Sequence, residues 1–171
     1  MRIIVTEYNP QWPGMFEVEA NQFQEVFGEE LIAVNHIGST SVPGLKAKPI
    51  IDIMPVVRDI EVVDKFNDKM IGLGYEPMGE FGILGRRFFR KGEDVRTHHI
   101  HIFQLNSRDI ERHLAFRDFL RQHVDDAKKY GELKEMLADR FPNDIEAYMD
   151  GKNELVKNLE QKAIKWHGEK L

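Results

Sequence analysis

His36-Ile37-Gly38-Ser39-Thr40-Ser41-Val42-Pro43-Gly44-Leu45-Lys46-Ala47-Lys48-Pro49-Ile50-Ile51-Asp52-Ile53 is the stretch on which the reading of this chain turns. The apolar runs at its two ends, residues 31–37 and 50–57, read as strands, and a Gly/Ser/Pro-punctuated loop from Gly38 to Pro49 joins them. Alternation along the second strand sets Ile51 and Ile53 on one face and Asp52 with Met54 on the other. An ionised carboxylate inside such a run is costly unless it is hydrogen-bonded, paired or bound to a metal. Two readings of Asp52 follow. It is aimed at a metal–phosphate site, or it is a structural acid paired with Lys46, Lys48 or an arginine. Gly38 allows close backbone approach, and Ser39, Thr40 and Ser41 supply hydroxyls and N–H groups of the kind that hold phosphate. The loop is not a Walker P-loop, because G-x-x-x-x-G-K-[ST] is absent, and a Ser/Thr-rich turn alone is usually only a turn.

Working outward, residues 2–6 alternate weakly, as a short edge strand would. After Pro10 and Pro13 a helix is predicted from Phe16, Ala20, Phe23 and Phe27, stopped by Gly28. Asp59 caps a second predicted helix carrying Ile60, Val63, Phe66 and Met70. Strands follow at 75–78, 85–91 and 96–105, the last two as a hairpin around Lys91-Gly92-Glu93-Asp94. Beyond Asn106 the pattern turns helical, at about 107–123, 125–140 and 143–167, with Asn143 and Glu146 spaced as a capping box. The expected architecture is α+β, a small mixed β-sheet flanked by helices with a C-terminal helical bundle packed on it. One domain is expected over 1–171, its sheet part about 1–105 and its helical part about 106–171.

The 171 residues suit one ordinary domain, and 42% hydrophobic with 31% charged residues describe a folded chain rather than a disordered one. A formal net charge of −5 gives no global field toward nucleic acid or anionic lipid, so no specific nucleic-acid partner and no membrane is expected. Without cysteine there is no disulfide, thiolate ligand or cysteine nucleophile. The N-terminus lacks a signal-peptide apolar region and no run approaches a bilayer span, so the expected location is cytoplasmic.

Taken together, the stretch His36–Ile53 resembles the signature of the GrpB family, grouped with the nucleotidyltransferase fold, whose motif is Gly-Ser, a loop, then an acidic strand of the form Asp-x-Asp/Glu. The resemblance covers nearly the whole chain. It includes Tyr8-Asn9-Pro10-Gln11-Trp12-Pro13, Thr97-His98-His99-Ile100-His101-Ile102, Phe116-Arg117-Asp118-Phe119-Leu120-Arg121, Tyr130-Gly131-Glu132-Leu133-Lys134 and Tyr148-Met149-Asp150-Gly151-Lys152. It implies a nucleotidyltransferase-like sheet. In active members of that fold, two strand carboxylates and a third from a later strand hold Mg²⁺, which bridges the nucleotide phosphates during in-line transfer. Asp52 matches the first acid, but Met54 stands where the second belongs, and a thioether is a poor ligand for a hard cation.

The strand His99-Ile100-His101 offers a substitute. His99 and His101 share one face about 7 Å apart, and beside Asp52 they would make an Asp–His–His metal set suited to a softer ion, with His36 near. Satisfied structural histidines are the alternative. Arg86, Arg87, Arg90 and Lys91 crowd one hairpin, Arg86 and Arg90 facing opposite to Arg87; most such charges guard an edge, while Arg87, next to Phe88 and Phe89, is the one expected to face the site. On the predicted bundle Arg117 points partly inward, and Tyr130/Lys134 and Tyr148/Lys152 are i,i+4 pairs beside apolar stripes. Such lysines normally snorkel to water, or from several helices they clamp phosphate.

The expected site therefore has Asp52 as catalytic residue, Asp52, His99 and His101 as metal ligands, and Gly38, Ser39, Thr40, Lys48, Arg117, Lys134 and Lys152 as nucleotide or phosphate contacts. The expected function is metal-dependent nucleotidyl transfer by a protein that binds a small-molecule nucleotide between sheet and bundle. Its cofactor would be Mg or Mn, or a softer divalent metal through histidine, with a nucleoside triphosphate as substrate. The alternative is a non-catalytic nucleotide- or phosphate-binding accessory module linked to coenzyme A metabolism, because the family resemblance includes domains fused to dephospho-coenzyme A kinase. A histidine-centred hydrolase fits less well, as no H-E-x-x-H motif occurs. Composition is silent on the acceptor, the preferred nucleotide and the oligomeric state.

Overall fold

The computed structural model describes residues 2–169. Its contacts divide into two compact units, one of Gln11–Ile37 and Ile50–Ile110, the other of Met1–Pro10, Gly38–Pro49 and Glu111–Leu171.

The first unit is a five-stranded mixed sheet with helices on one face. Its strands are β1 (Leu31–Ile37), β2 (Ile51–Val57), β3 (Tyr75–Pro77), β4 (Arg87–Lys91) and β5 (His98–Gln104), in the spatial order β1-β2-β5-β4-β3. β2 and β5 are parallel and every other neighbouring pair is antiparallel. β2, paired on both sides, is the apolar run of the sequence, as a strand buried on both faces must be. Register fixes the faces. His36, Ile53, Ile100 and Phe89 align on one side, whereas Asp52, His99, Arg90 and Glu76 align on the other.

Helix α1 (Trp12–Phe27) covers the first of these faces, where Phe16 stacks on His36 and Phe23 tilts against Tyr75. Pro13 lies in its first turn, where the missing N–H costs nothing, and Gly28 ends it at φ 55°. The expected helix after Asp59 is a 3-10 segment, Ile60–Phe66, that becomes α2 (Asn67–Gly72). Asp59 caps it as expected, accepting from the Glu61 N–H at 3.0 Å.

The second unit holds α3 (Arg108–Gln122, of which residues from Glu111 belong here), α4 (Val124–Arg140) and α5 (Ile145–Glu169). Leu45, Ala115, Phe119, Tyr130, Leu159 and Ala163 form one apolar cluster, and Ile3, Leu137, Ala138 and Tyr148 another. The long α5 is capped by Asp144, whose carboxylate accepts from the Ala147 N–H at 3.1 Å. The capping-box spacing had pointed one residue earlier, to Asn143. Residues 2–6 are not an edge strand of the sheet. Thr6 makes an isolated bridge to Ala47, and the Ile3 N–H binds the Pro142 carbonyl. Among the described residues no helix is long and apolar enough to cross a membrane.

Candidate functional site

On the sheet face away from α1, β2 and β5 run in parallel with Asp52 beside His99, so the histidine strand does lie against the acidic one. His101 Nε2 is 3.0 Å from Asp52 Oδ1, and His99 Nδ1 is 3.7 Å from the same oxygen. The other nitrogen of His101, Nδ1, is 3.3 Å from Arg86 Nη1. A guanidinium only donates, so Nδ1 accepts, and the ring proton sits on Nε2, which donates it to Asp52. The buried Arg86 thereby sets the tautomer of a histidine that in turn orients the carboxylate.

This network decides how the set fits a metal. With Nε2 protonated and Nδ1 facing a cation, His101 presents no lone pair to an ion in this arrangement. Among the described residues no three His, Asp or Glu side chains are set as ligands of one metal. The Asp–His–His centre for a softer metal therefore does not fit. Mg²⁺ or Mn²⁺ needs less from the protein, one or two carboxylates with phosphates and water supplying the rest, and Asp52 fits that demand. Met54 is fully buried and brings no oxygen ligand. His36 belongs elsewhere, because its register with Ile53 turns it to the α1 face.

Arg87 also differs from expectation. It binds Asp64 at 2.8 Å from the 3-10 segment, leaving Arg86 as the arginine at Asp52's histidine. Alternation along the hairpin sets these two residues on opposite faces, and it is Arg86 that meets His101. Arg90 pairs with Glu76 at 3.0 Å, and Lys91 with Glu19 at 2.6 Å.

The phosphate-type groups gather in the second unit. Gly38, at φ 71°, starts a tight 3-10 turn over Ser39–Ser41 that buries Thr40 and is closed by the Ser41 and Val42 N–H groups. Lys134 is only 2% exposed, and its Nζ donates to Ser39 Oγ at 2.7 Å while lying 4.3 Å from the Tyr130 ring centroid. The i,i+4 spacing of Tyr130 and Lys134 produces that ring contact, and Tyr148 and Lys152 repeat it at 5.3 Å. Lys48 reaches the same Tyr148 ring, also at 5.3 Å. Tyr148 is wholly buried and its hydroxyl has no hydrogen-bond partner. Burial, and then the nearby Tyr130, hold that hydroxyl's pKa well above its ordinary value, so it remains an O–H donor.

Arg117 makes an ion pair with its neighbour Asp118 at 2.8 Å, and Arg121 Nε donates to the Ser41 carbonyl at 2.9 Å. Burial, followed by the charge of Arg117, lowers the Arg121 pKa from its usual value. Arg121 thus fastens the glycine-serine loop, a contact between residues 80 positions apart that no local sequence pattern marks. Lys46, beside Lys48, is taken by Glu135 at 2.9 Å and Glu7 at 3.5 Å.

A family model described as GrpB protein matches residues 2–162. The chain belongs to the GrpB family. The UPF0157 protein YqkA of Bacillus subtilis is 47% identical over 165 residues, covering 96% of this chain but 48% of YqkA, so the chain spans about half the length of that relative. A crystal structure of GrpB from Enterococcus faecalis superposes with a TM-score of 0.93 at 48% identity, covering 96% of this chain and 99% of that one. The chain also superposes on the Cid1 poly(U) polymerase with Mg 3'-dATP bound, with a TM-score of 0.53 at 9% identity over 80% of this chain and 43% of that one. At that identity the likeness is one of fold, and the fold is nucleotidyltransferase-like. A dephospho-CoA kinase of Mycolicibacterium paratuberculosis is 22% identical over 183 residues, 92% of this chain and 45% of that protein.

Proposed function

We propose that the chain binds a nucleoside triphosphate by its phosphates, held by Ser39, Thr40 and the loop amides together with Lys48, Lys134 and Lys152. The observation that carries this reading is the Lys134–Ser39 contact in the same unit as the buried, unpartnered hydroxyl of Tyr148. A buried O–H donor without an acceptor costs about 1–3 kcal/mol, and a phosphate oxygen is the acceptor that two lysines at its ring would bring. The relationship to dephospho-CoA kinase supports a nucleotide-handling role near coenzyme A synthesis.

A second reading, metal-dependent nucleotidyl transfer, is favoured by one observation: Asp52 is a partly exposed carboxylate whose orientation is fixed by His101. It would hold Mg²⁺ or Mn²⁺ as the single acid of the site. The buried Met54 in place of a second acid favours binding over transfer.

The test is thermal unfolding of the whole chain with ATP, inorganic triphosphate and Mg²⁺. A ligand at a hundredfold excess over Kd stabilises by about 2.7 kcal/mol, a readily measured rise in Tm. Lys134→Met, which keeps the buried stem, is expected to lose the response to both triphosphates. Silence of the native chain toward every triphosphate would overturn the proposal. Release of pyrophosphate or phosphate that depends on Asp52 would establish the second reading.

A further inference from the structure

A cavity of about 340 Å³ lies wholly within the second unit, in the corner where the end of α3, the first half of α4 and residues Pro43–Lys46 meet. Its volume is at the small end of the range for ligand pockets, roughly 300–1,000 Å³. None of the phosphate-type groups lines it.

Helical spacing builds one wall. Val124, Ala127, Lys128 and Gly131 recur at three and four residues along α4 and so share a face, while Leu120 closes the corner from α3. Pro43 and Leu45 belong to the facing wall. Gly131 lets the two walls approach: a Cβ there would lie 3.2 Å from Leu45 Cδ1 and 3.5 Å from Lys46 Cβ. A glycine inside a helix is unfavourable relative to alanine, and close approach is what it serves here. Val124, in the first turn of α4, is left 71% exposed.

Four charged side chains border this apolar interior, and their pairing decides what it takes. Lys46 is held by Glu135 and Glu7. Lys128 and Glu132 make no ion pair. Arg121 uses only Nε, on the Ser41 carbonyl, so both terminal nitrogens of its fork lack an acceptor among the described residues. Two unpaired cations thus stand against one unpaired acid, and a single negative charge would balance the border. Burial, and then the charge of Arg117, disfavours the Arg121 cation, a cost that an anion at the fork would offset.

We propose that this cavity binds a small monocarboxylate with an apolar body, its carboxylate on Arg121 and Lys128 and its body against Leu120, Val124 and Ala127. A guanidinium fork suits a carboxylate bidentately, and the apolar walls suit a hydrocarbon. The site uses none of the residues given to phosphate, so it stands or falls apart from the nucleotide reading.

The test is calorimetry of the whole chain with hexanoate, octanoate, 1-octanol and acetate. At the usual gain per buried methylene, octanoate is expected to bind roughly fifteenfold more tightly than hexanoate. The same body without charge, 1-octanol, binds roughly tenfold more weakly than octanoate, and acetate does not bind. Val124→Asp, where an acid suits the helix N-terminus, puts a like charge at the cavity and weakens octanoate roughly tenfold. Lys128→Gln weakens it roughly threefold. Arg121→Gln, which keeps a donor for the Ser41 carbonyl, removes the preference for octanoate over 1-octanol. Melting temperatures check that each variant keeps the fold.

Equal affinity of the native chain for octanoate and 1-octanol would overturn the anion site. Octanoate affinity unchanged in both Val124→Asp and Arg121→Gln would place the ligand elsewhere and overturn the cavity, as would no binding at all. Octanoate binding by a chain silent toward triphosphate keeps the cavity and removes the phosphate reading; the converse removes the cavity alone.

Discussion

His101 Nε2 lies 3.0 Å from Asp52 Oδ1 across two parallel strands, and Arg86 on the far side of the ring decides which nitrogen carries the proton. Asp52 is therefore an acceptor for a fixed donor, whatever else it binds. Asp52→Asn keeps an amide oxygen for that donor, whereas Asp52→Leu removes the acceptor. The expected difference is about 1 kcal/mol, with the leucine variant the less stable in urea unfolding. Equal stabilities would show that the His101 contact carries no weight in the folded state.

The opposite face holds a second polar network with a pH signature. Glu19 accepts from Tyr75 Oη at 2.6 Å and is paired with Lys91. Burial works to raise its pKa, but the hydrogen bonds of Lys91 and Tyr75 outweigh it and hold the carboxyl below its ordinary value of 4.5. His98 is lowered from 6.5, chiefly by burial. Both groups bind protons more readily in the unfolded chain, so stability rises with pH through their windows. It should be fully present above about pH 6.5, fall first as His98 must stay neutral, and fall again below about 4.5 as Glu19 must stay ionised. Unfolding free energies from pH 3 to 8 check this. Glu19→Gln should cost about 3 kcal/mol near neutrality and remove the lower step. An unchanged lower step would mean another carboxylate is responsible.

Gly151 makes a third case, in the helical unit. A Cβ there would sit 2.5 Å from Leu137 Cδ2, on the packed seam between α4 and α5. Gly151→Ala should therefore be destabilising by about 1 kcal/mol, although alanine in an open helix position gains nearly that much. Gly72, at the end of α2, has open space around the corresponding position and serves as the control. A stabilised Gly151→Ala would mean that Leu137 rotates away freely.

Periodicity and punctuation carried most of the fold. β1 and β2 were bounded to within a residue because β-branched runs end at Gly38 and Pro49, and the hairpin followed from Gly92. What eluded the sequence depends on partners remote along it. Which arginine meets His101 is decided by β4–β5 register, and His36 leaves the Asp52 face because a strand residue shares the face of its paired neighbour. The proximity of Asp52 to His99 was legible in the alternation of the two strands, whereas the His101–Asp52 hydrogen bond and its link to Arg86 were not. No composition pattern marks a guanidinium that fixes a tautomer.

Tyr148 gives the sharpest separation of stability from binding. Its hydroxyl is buried and unpartnered, so Tyr148→Phe removes the unmet desolvation while preserving the ring against Lys48 and Lys152. The folded chain should gain about 1 kcal/mol without ligand, visible as a raised urea midpoint at unchanged slope. If that hydroxyl serves phosphate, the same variant should bind inorganic triphosphate roughly tenfold more weakly, the loss of one charge-assisted hydrogen bond. The two signs are opposite and cannot both come from a general loosening of α5. A variant that is more stable and binds triphosphate as well as the native chain would place the phosphates away from Tyr148.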